Sequence, residues 1–260
     1  MSELIHYEVA GGVGRITLDS PDNRNALSRQ LTGELAAHLN AAIADRAVRA
    51  VVLTATGMVF CSGADLKEQR EANATGASTG PAGVAPILET MWNSPKPIVG
   101  RINGAARAGG VGLVAACDIA VGAEGATFAV NEVRIGVIPA IISVVLLRKI
   151  APTAAMELFL TGATFDGKRA AELGLLNKAV PLEDLDASTE EFLGALRLGA
   201  PAALAAAKRL VREVPGMNVH QGFEAMVSLS ARFFASPEAL EGMTAFAEKR
   251  PPSWADSPGT

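Results

Sequence analysis

The sequence predicts an α/β fold in which short strands alternate with helices, followed by a C-terminal part that is helical throughout. The first observation is a set of apolar runs such as Ala50–Ala55 (AVVLTA), which are typical of strands covered on both faces. The second is that a glycine-rich turn or a helical pattern follows each run, an alternation that requires crossover connections. The third is that strand-like runs disappear from Leu182 onward.

The N-terminal region is predicted to contain two strands and a helix. Residues 4–10 and 13–19 are expected to form a hairpin, because Gly11-Gly12 between them is a hairpin signal. Ser28 is a suitable N-cap for the helix, since its side chain can accept a hydrogen bond from the first turn. The apolar positions of this helix repeat every four residues, at Leu31, Leu35 and Leu39.

The rest of the chain is divided by its glycine and proline residues. Residues 96–102 and 118–121 are predicted as further strands, and residues 71–85, which are small and nearly uncharged, as a mobile loop. Four helices are predicted in the C-terminal part, at residues 187–198, 201–214, 220–235 and 237–249.

Composition limits the classes of function. A chain of 260 residues that is 49% hydrophobic buries enough surface to need no disulfide or metal for stability. Cys61 and Cys117 lie in apolar surroundings and are expected to be free thiols in a reducing compartment, and the three histidines share no zinc-ligand spacing with them. The net charge of −4 speaks against general nucleic-acid binding. The sequence has no apolar signal core or membrane span, so a cytoplasmic protein is predicted.

Two segments have the composition of a ligand-binding backbone. One is FCSGADLKE at residues 60–68 and the other is INGAARAGGVGL at residues 102–113. Their small side chains let a ligand approach peptide N–H groups, and the second segment leads into a helix whose N-terminus carries partial positive charge. Two such openings can polarise one carbonyl oxygen and stabilise the enolate formed from it. The structural alternative is that both are ordinary turn glycines that allow close helix packing.

Several segments together resemble the enoyl-CoA hydratase/isomerase, or crotonase, family. They are FCSGADLKE, KPIVGRINGAARAGGVGLVAACDIAV, ATFAVNEVRIGVIPA, LTGATFDGKRAAELGLLNKAV and the final EGMTAFAEKR. The resemblance covers essentially the whole chain, in order. It implies a crotonase-like spiral of ββα units in residues 1–198 and a helical trimerisation domain in residues 199–260. It also implies an acyl-CoA thioester substrate, with coenzyme A as part of the substrate and no separate cofactor or metal.

The resemblance also implies a set of site residues. The N–H groups of Ala64 and Gly109 would form an oxyanion hole for the thioester oxygen. The resemblance places further contacts with the CoA at Arg24, Ser62, Ala64, Asp65, Leu66, Phe246 and Lys249. Asp65 is expected to support its own loop through backbone hydrogen bonds. Phe246 and Lys249 would meet the adenine and the 3′-phosphate from a neighbouring subunit, in a homo-trimer or a dimer of trimers.

The sequence departs from the two-carboxylate hydratases of the family. The first glutamate position is Gly112, and the second is Glu132, which follows Asn131 where the family has proline. This pattern is most similar to the methylglutaconyl-CoA hydratase-type branch. Single-glutamate Δ3,Δ2-enoyl-CoA isomerases also keep an equivalent of Glu132, which would then be the acid/base residue.

Two charged residues each have two interpretations. Glu132 is either a proton-transfer group with a raised pKa in an apolar pocket or a surface glutamate paired with Arg134. Arg107 lies two residues before Gly109. One interpretation is a clamp that binds either an acidic acyl end or a CoA phosphate. The other is a solvated loop residue or a member of an inter-subunit ion pair. Asp118 is expected to be a structural partner.

Three functions follow from these residues. The first is a lyase that hydrates an α,β-unsaturated acyl-CoA, as in fatty-acid or branched-chain amino-acid metabolism. The second is an isomerase in which Glu132 moves a proton along the acyl chain. The third is a non-catalytic acyl-CoA binder, against which the retention of Glu132 beside both glycine-rich segments counts.

Overall fold

The computed structural model describes residues 2–76 and 82–255. In this part of the chain the strands are β1 (Ile5–Ala10), β2 (Val13–Leu18), β3 (Ala50–Ala55), β4 (Val59–Cys61), β5 (Ile98–Ile102), β6 (Ala105–Arg107), β7 (Ile119–Ala123), β8 (Thr127–Ala129), β9 (Thr164–Asp166) and β10 (Lys178–Val180). The helices are α1 (Arg29–Ala44), α2 (Leu66–Ala74), α3 (Val84–Asn93), α4 (Gly109–Ala116), α5 (Ala140–Leu146), α6 (Pro152–Thr161), α7 (Gly167–Glu172), α8 (Leu185–Leu198), α9 (Pro201–Glu213), α10 (Val219–Phe234) and α11 (Pro237–Glu248).

The strands form two sheets. The larger has the order β1-β2-β3-β5-β7-β10, in which β1 and β2 are the predicted antiparallel hairpin and the other neighbours are parallel. The smaller has the order β4-β6-β8-β9, with β4, β6 and β8 parallel to one another. The pairs β3–β4, β5–β6 and β7–β8 each place their first strand in the larger sheet and their second in the smaller one. One or two helices follow each pair, which gives the predicted series of ββα units.

The main core lies between the larger sheet and the helices that follow its strands. All six residues of β3 are buried, as the continuous apolar run predicts. Val51 and Leu53 face the main cluster, which includes Leu31 and Leu35 of α1. Ala50 and Val52 point to the other face, where they pack with Leu193 of α8. Helix α1, before the first pair, therefore covers one face of the sheet, and α8, which follows β10, covers the other.

The first helix begins where its cap predicts. The Ser28 hydroxyl oxygen accepts a hydrogen bond from Leu31 N at 3.2 Å. The predicted loop at residues 71–85 is wrong at both ends, because α2 extends to Ala74 and α3 begins at Val84. Residues 77–81 of that loop lie outside the described residues. The small residues at the start of this segment can continue a helix that has already begun. Asp65 caps the N-terminus of α2, and the helix extends from there to Ala74.

The four predicted C-terminal helices are present as α8 to α11, with ends within two residues of the expected ones. The proposed division at residues 198 and 199 coincides with the end of α8 and stays a prediction. None of the helices in the described residues has both the length and the apolar character that a membrane span needs.

Candidate functional site

Three segments singled out from the sequence follow neighbouring strands of the smaller sheet. Ala64 comes three residues after the end of β4, Gly109 two after β6, and Glu132 three after β8. Because β4, β6 and β8 are adjacent and parallel, their carboxyl ends meet at one edge of the sheet. Ligands of α/β proteins commonly bind outside the carboxyl ends of parallel strands. The topology therefore brings these three segments to one edge.

The segment around Ala64 is held by a neighbouring loop. Leu27 N donates to Gly63 O at 2.8 Å, and Ser62 N donates to Arg24 O at 3.1 Å. Leu27 and Ala64 form an isolated parallel bridge. Within the described residues Ala64 N has no protein acceptor, so its N–H is available to a ligand.

The segment around Gly109 depends on an unusual backbone conformation. Ala108 has φ +47° and ψ −116°, in a region that residues with a side chain rarely adopt. It is the N-cap of α4, and its N–H donates to Ala129 O at 3.0 Å. Strained backbone of this kind is concentrated at functional sites. The turn at Ala108 leaves Gly109 N, like Ala64 N, without an acceptor among the described residues.

The two N–H segments lie in direct contact. Gly63 has φ +88°, and a Cβ atom at this position would stand 3.0 Å from Ala108 Cβ and 3.4 Å from Gly109 N. Only a glycine allows the two backbones to come so close. Two free peptide N–H groups on adjoining segments, one at a helix N-terminus, form an arrangement that can bind one carbonyl oxygen.

Glu132 is half-buried, and its burial affects the carboxyl group. It begins a 3₁₀ turn, Glu132–Ile135, and its Oε2 atom is buried without a hydrogen-bond partner among the described residues. Burial raises the pKa of the Glu132 carboxyl above its ordinary value. The predicted alternative of an ion pair with Arg134 is not observed, because Arg134 Nε donates to Thr161 O at 3.1 Å.

Gly112 lies inside α4, one turn after Gly109, and is completely enclosed. A Cβ atom there would stand 2.5 Å from Ile142 Cγ2 and 3.3 Å from Leu88 Cδ1. The space into which a second carboxylate would project is therefore filled by the side chain of α5. Of the two predicted carboxylates at this edge, Asp65 caps α2, and Glu132 is the one whose Oε2 atom has no partner among the described residues.

The predicted CoA-lining residues surround the Ala64 segment. Asp65 caps α2 by accepting from Lys67 N and Glu68 N at 2.9 and 3.1 Å, as expected from the sequence. Ser62 is half-buried, whereas Leu66 is exposed at the start of α2 and Arg24 is exposed on the adjoining loop. An exposed cation beside free N–H groups suits a phosphate-bearing ligand.

Arg107 lies on β6 and is bound to its neighbouring strand. Its guanidinium donates to the carbonyl and the hydroxyl of Thr127, and to Ala106 O. The clamp and the inter-subunit interpretation both stay open, because no carboxylate among the described residues neutralises this half-buried cation. Asp118 is the structural partner that was predicted, since it pairs with Lys208 and Arg212 and accepts from Ile98 N.

Phe246 and Lys249 lie at the end of α11, far along the chain from the other predicted residues. Phe246 is 87% exposed, and Lys249 ends the helix with φ +54°. The α11 segment is attached through Trp254, whose Nε1 donates to Leu198 O and whose carbonyl accepts from Arg49. Within the described residues neither Phe246 nor Lys249 bonds to the segments around Ala64, Gly109 or Glu132.

A large cleft among the described residues lies away from this edge. It has a volume of about 950 Å³ and lies between the end of α3 and the helices α9 and α10. Its polar lining is mainly basic, from Arg148, Lys208, Arg209, Arg212 and Arg232 around Trp92. It contains none of the predicted site residues, and its only carboxylate is Glu213. The chemistry of the peptide N–H groups and of Glu132 therefore identifies the candidate active site better than cavity size does. The described residues hold no group of three His, Cys, Asp or Glu side chains placed to bind a metal ion.

Sequence reasoning missed two residues that shape the site. The positive φ of Ala108 could not be predicted, because alanine rarely adopts this conformation, whereas glycine often does. Asn25 is completely buried and also has a positive φ, +51°. Its neighbours Asn23 and Arg24 drew attention to the loop, but burial of a polar side chain in a loop cannot be read from a polar stretch of sequence.

Comparison with known proteins agrees with this geometry. The sequence profile of the enoyl-CoA hydratase/isomerase family matches residues 8–257. The chain belongs to this family. A crotonase-family chain of known structure from Legionella pneumophila, itself an enoyl-CoA hydratase/isomerase by name, has a TM-score of 0.89 and 35% identity over 97% of this chain and 99% of that one. The predicted family and the crotonase-like fold are thereby confirmed.

Curated members of the enoyl-CoA hydratase/isomerase family are similar over nearly their whole length. A relative from Thermus thermophilus with the provisional name enoyl-CoA hydratase is 36% identical over 249 residues, 93% of this chain and 97% of its own. Carnitinyl-CoA dehydratase from Citrobacter koseri is 34% identical over 260 residues, 98% of this chain and 99% of its own. This member of the family is therefore an enzyme, and its relatives are named for hydration or dehydration. Its similarity to the methylglutaconyl-CoA hydratase branch stays a prediction.

Proposed function

We propose that this protein is a hydro-lyase that adds water to an α,β-unsaturated acyl-CoA thioester, without a bound cofactor or metal. The observation that carries the proposal is that the free N–H groups of Ala64 and Gly109 lie at the same edge of the smaller sheet as Glu132, whose Oε2 atom is buried without a partner among the described residues. The relative named carnitinyl-CoA dehydratase supports the same chemistry in the reverse direction.

The two N–H groups would stabilise the charge that develops on the thioester oxygen. When water attacks the β-carbon, the electron pair of the double bond moves through the α-carbon to that oxygen and gives an enolate. Hydrogen-bond donors that are already oriented stabilise such an oxyanion without reorganising, and one donor typically contributes a hundredfold to a thousandfold in rate. Ala108 and Gly63 hold these donors in place through the backbone.

Glu132 would carry the proton in both halves of the reaction. As a carboxylate it accepts a proton from water while the oxygen of water bonds to the β-carbon. The neutral carboxylic acid then donates this proton to the α-carbon, which collapses the enolate and completes the addition of H and OH. The raised pKa brings the two protonation states of Glu132 closer in free energy near neutral pH, as a shuttle of this kind requires.

A Δ3,Δ2-enoyl-CoA isomerase is the second candidate, and the enclosure of Gly112 favours it. With no second carboxylate at that position, no partner of Glu132 is available there to orient a water molecule. In the isomerase reaction Glu132 would remove a proton from the α-carbon of a 3-enoyl thioester and return it to the γ-carbon. A non-catalytic binder would have no need of an unpartnered carboxyl oxygen at the same edge of the sheet as two free N–H groups.

The test follows absorbance at the conjugated enoyl band. A hydratase removes conjugation from a 2-enoyl-CoA, an isomerase creates it from a 3-enoyl-CoA, and a binder does neither. With the best substrate of a panel of saturated, 2-enoyl, 3-enoyl and glutaconyl-type thioesters, Glu132→Gln should lower kcat about a hundredfold to ten-thousandfold with little change in binding. Glu124→Gln, which removes a glutamate paired with Lys168 away from the site, is the matched control. Parental kcat in Glu132→Gln would contradict the mechanism.

We further propose that Arg24, Ser62, Asp65 and Leu66 line the bound CoA and that Phe246 and Lys249 contact its nucleotide from a neighbouring subunit. The exposure of Phe246 and the attachment of α11 away from the Ala64 segment support the second part. The homo-trimer or dimer of trimers that this arrangement needs belongs to the same proposal.

A further inference from the structure

Asn25 has three side-chain hydrogen bonds in a completely buried position. Its Oδ1 atom accepts from Ser20 N at 2.7 Å, and its Nδ2 group donates to Thr56 O at 3.1 Å and to Val59 O at 2.7 Å. The side chain is 0% exposed. It thereby ties its own loop to the connection between β3 and β4. An amide is required here, because the partners are one donor and two acceptors.

The loop that Asn25 anchors runs beside the Ala64 segment as a strap, which we define as residues 23–29. Ser62 N donates to Arg24 O, and Leu27 N donates to Gly63 O. Two further hydrogen bonds involve the ends of the strap: Asn23 Nδ2 donates to Asp65 Oδ2 at 3.0 Å, and Arg29 N donates to Glu68 Oε2 at 2.8 Å. Four hydrogen bonds thus connect the strap with residues 62–68.

These bonds set the direction of the Ala64 N–H. The backbone groups on its N-terminal side, Ser62 N and Gly63 O, are both taken by the strap, and the Ala64 N–H that follows is free. Leu27 also lies against the second segment, since a Cβ atom on Gly109 would stand 2.8 Å from Leu27 Cδ1. One loop therefore contacts both N–H donors.

We propose that Asn25 is a positioning residue for the oxyanion hole. The proposal rests on the proposed function. Asn25 does not contact the substrate; it fixes the strap, and the strap fixes the Ala64 N–H. Its positive φ fits this task, because asparagine adopts the left-handed region more readily than other residues with a side chain.

The test is Asn25→Asp, which keeps the acceptor for Ser20 N and the tolerance of a positive φ but removes both donated hydrogen bonds. If the strap shifts, kcat should fall about tenfold to hundredfold while KM changes little, because misplacement of a donor acts on the transition state. Asn103→Asp is the matched control, since Asn103 Nδ2 donates to Gly57 O at 2.8 Å in the same region but has no bond to the strap.

The deciding measurement is the carbonyl stretch of butanoyl-CoA labelled with ¹³C at the thioester carbon, which binds without turnover. In the parent protein and in Asn103→Asp the bound carbonyl should absorb at lower frequency than the free thioester, because the N–H groups polarise it. In Asn25→Asp most of this shift should be lost. An unchanged shift with kcat within twofold of the parent would overturn the proposal, whatever the loss of thermal stability.

Two further outcomes are separated by the same data. If Asn25→Asp does not fold, Asn25→Gly, which also fits the positive φ and lacks the amide, decides by the same two readouts. If the parent itself neither shifts the carbonyl of bound butanoyl-CoA nor turns over any thioester of the panel, the proposed function has failed. Loss of the shift in Asn25→Asp alone supports the positioning role.

Discussion

The Cβ atom that Gly112 lacks would stand 2.5 Å from Cγ2 of Ile142. This distance is too short for any real contact between two carbon atoms. Helices α4 and α5 can therefore pack this closely only because Gly112 has no side chain. The absence of a second carboxylate is therefore built into the packing of two helices and cannot be reversed by one substitution.

Gly112→Glu should destabilise the protein without improving hydration of a simple 2-enoyl-CoA. Overpacking of a core position costs about 1–3 kcal/mol, and a buried unpaired carboxylate adds to it. Thermal unfolding measures the first effect. Gly112→Ala should also lower Tm, and Ile142→Leu, which removes Cγ2, should recover part of this loss in the double variant. Parental stability in Gly112→Glu would mean that α5 moves aside.

Glu132→Gln should increase stability at neutral pH, with a gain that disappears toward acid. Burial raises the folded-state pKa of Glu132, so the native state favours the protonated form. Below the unfolded-state pKa both states are protonated and the charge costs nothing. As the pH rises through the raised pKa, the native state has to bury a carboxylate, which the amide avoids. Urea unfolding at several pH values tests this, and a constant difference from pH 4 to 8 would contradict it.

Ala108→Gly should raise Tm without lowering kcat. Alanine at φ +47° carries strain of about 1–3 kcal/mol, which glycine does not, although glycine also gains entropy in the unfolded chain. The net gain should be a fraction of the strain. Thermal unfolding and the assay on the best thioester are the measurements. A fall in Tm would indicate that the conformation of Ala108 is relaxed in solution.

Lys249→Ala should raise KM and leave kcat nearly unchanged, because a contact with the 3′-phosphate stabilises the substrate and the transition state equally. A dephospho-CoA thioester should largely erase the difference between variant and parent. Arg250→Ala is the matched control: Arg250 is the next residue, but its guanidinium is paired with Glu241 and Glu248. An undiminished difference with the dephospho substrate would assign Lys249 another role.

The C-terminal helices should hold subunits together. Val219, Phe223 and Val227 form one face of α10 at helical spacing, and each is more than two thirds exposed. An apolar face of this kind marks an interaction surface. Phe223→Asp should shift the sedimentation coefficient from that of a trimer or hexamer toward that of a monomer, while Leu182→Asp, at an exposed position before α8, should not. A parent that sediments as a compact monomer would exclude the assembly.

Features determined by local chemistry could be predicted from the sequence. The Gly11-Gly12 hairpin, the Ser28 cap and the buried strand Ala50–Ala55 all depend on residues that are close in the chain. The smaller sheet was not predicted strand by strand, because runs of three residues such as Val59–Cys61 are too short for a periodicity. The ββα units could not be found as a sequence repeat, since helices of different number and length separate their strands.

The direction of a side chain was beyond prediction. The spacing of Glu132 and Arg134 allows an ion pair, yet in the 3₁₀ turn Arg134 bonds to Thr161 and Glu132 is half-buried with its Oε2 atom unpartnered among the described residues. Asn25 is a similar case: the residues before it are polar and exposed, while the two acceptors of its amide group lie more than thirty residues away at Thr56 and Val59. Both outcomes depend on contacts that form only when distant segments meet.

Lys208 joins α9 to the segments that contain Met91, Lys96 and Asp118, and this connection affects how the protein unfolds. Its ammonium group donates to the carbonyls of Met91 and Lys96 and pairs with Asp118, and its side chain is only 8% exposed. Removing one partner from a buried charge is costly, so α9 cannot detach until these segments also unfold. None of the residues of α9 is fully buried, so its attachment does not come from buried apolar side chains. The unit that unfolds cooperatively is therefore expected to include α9, which ends at Glu213.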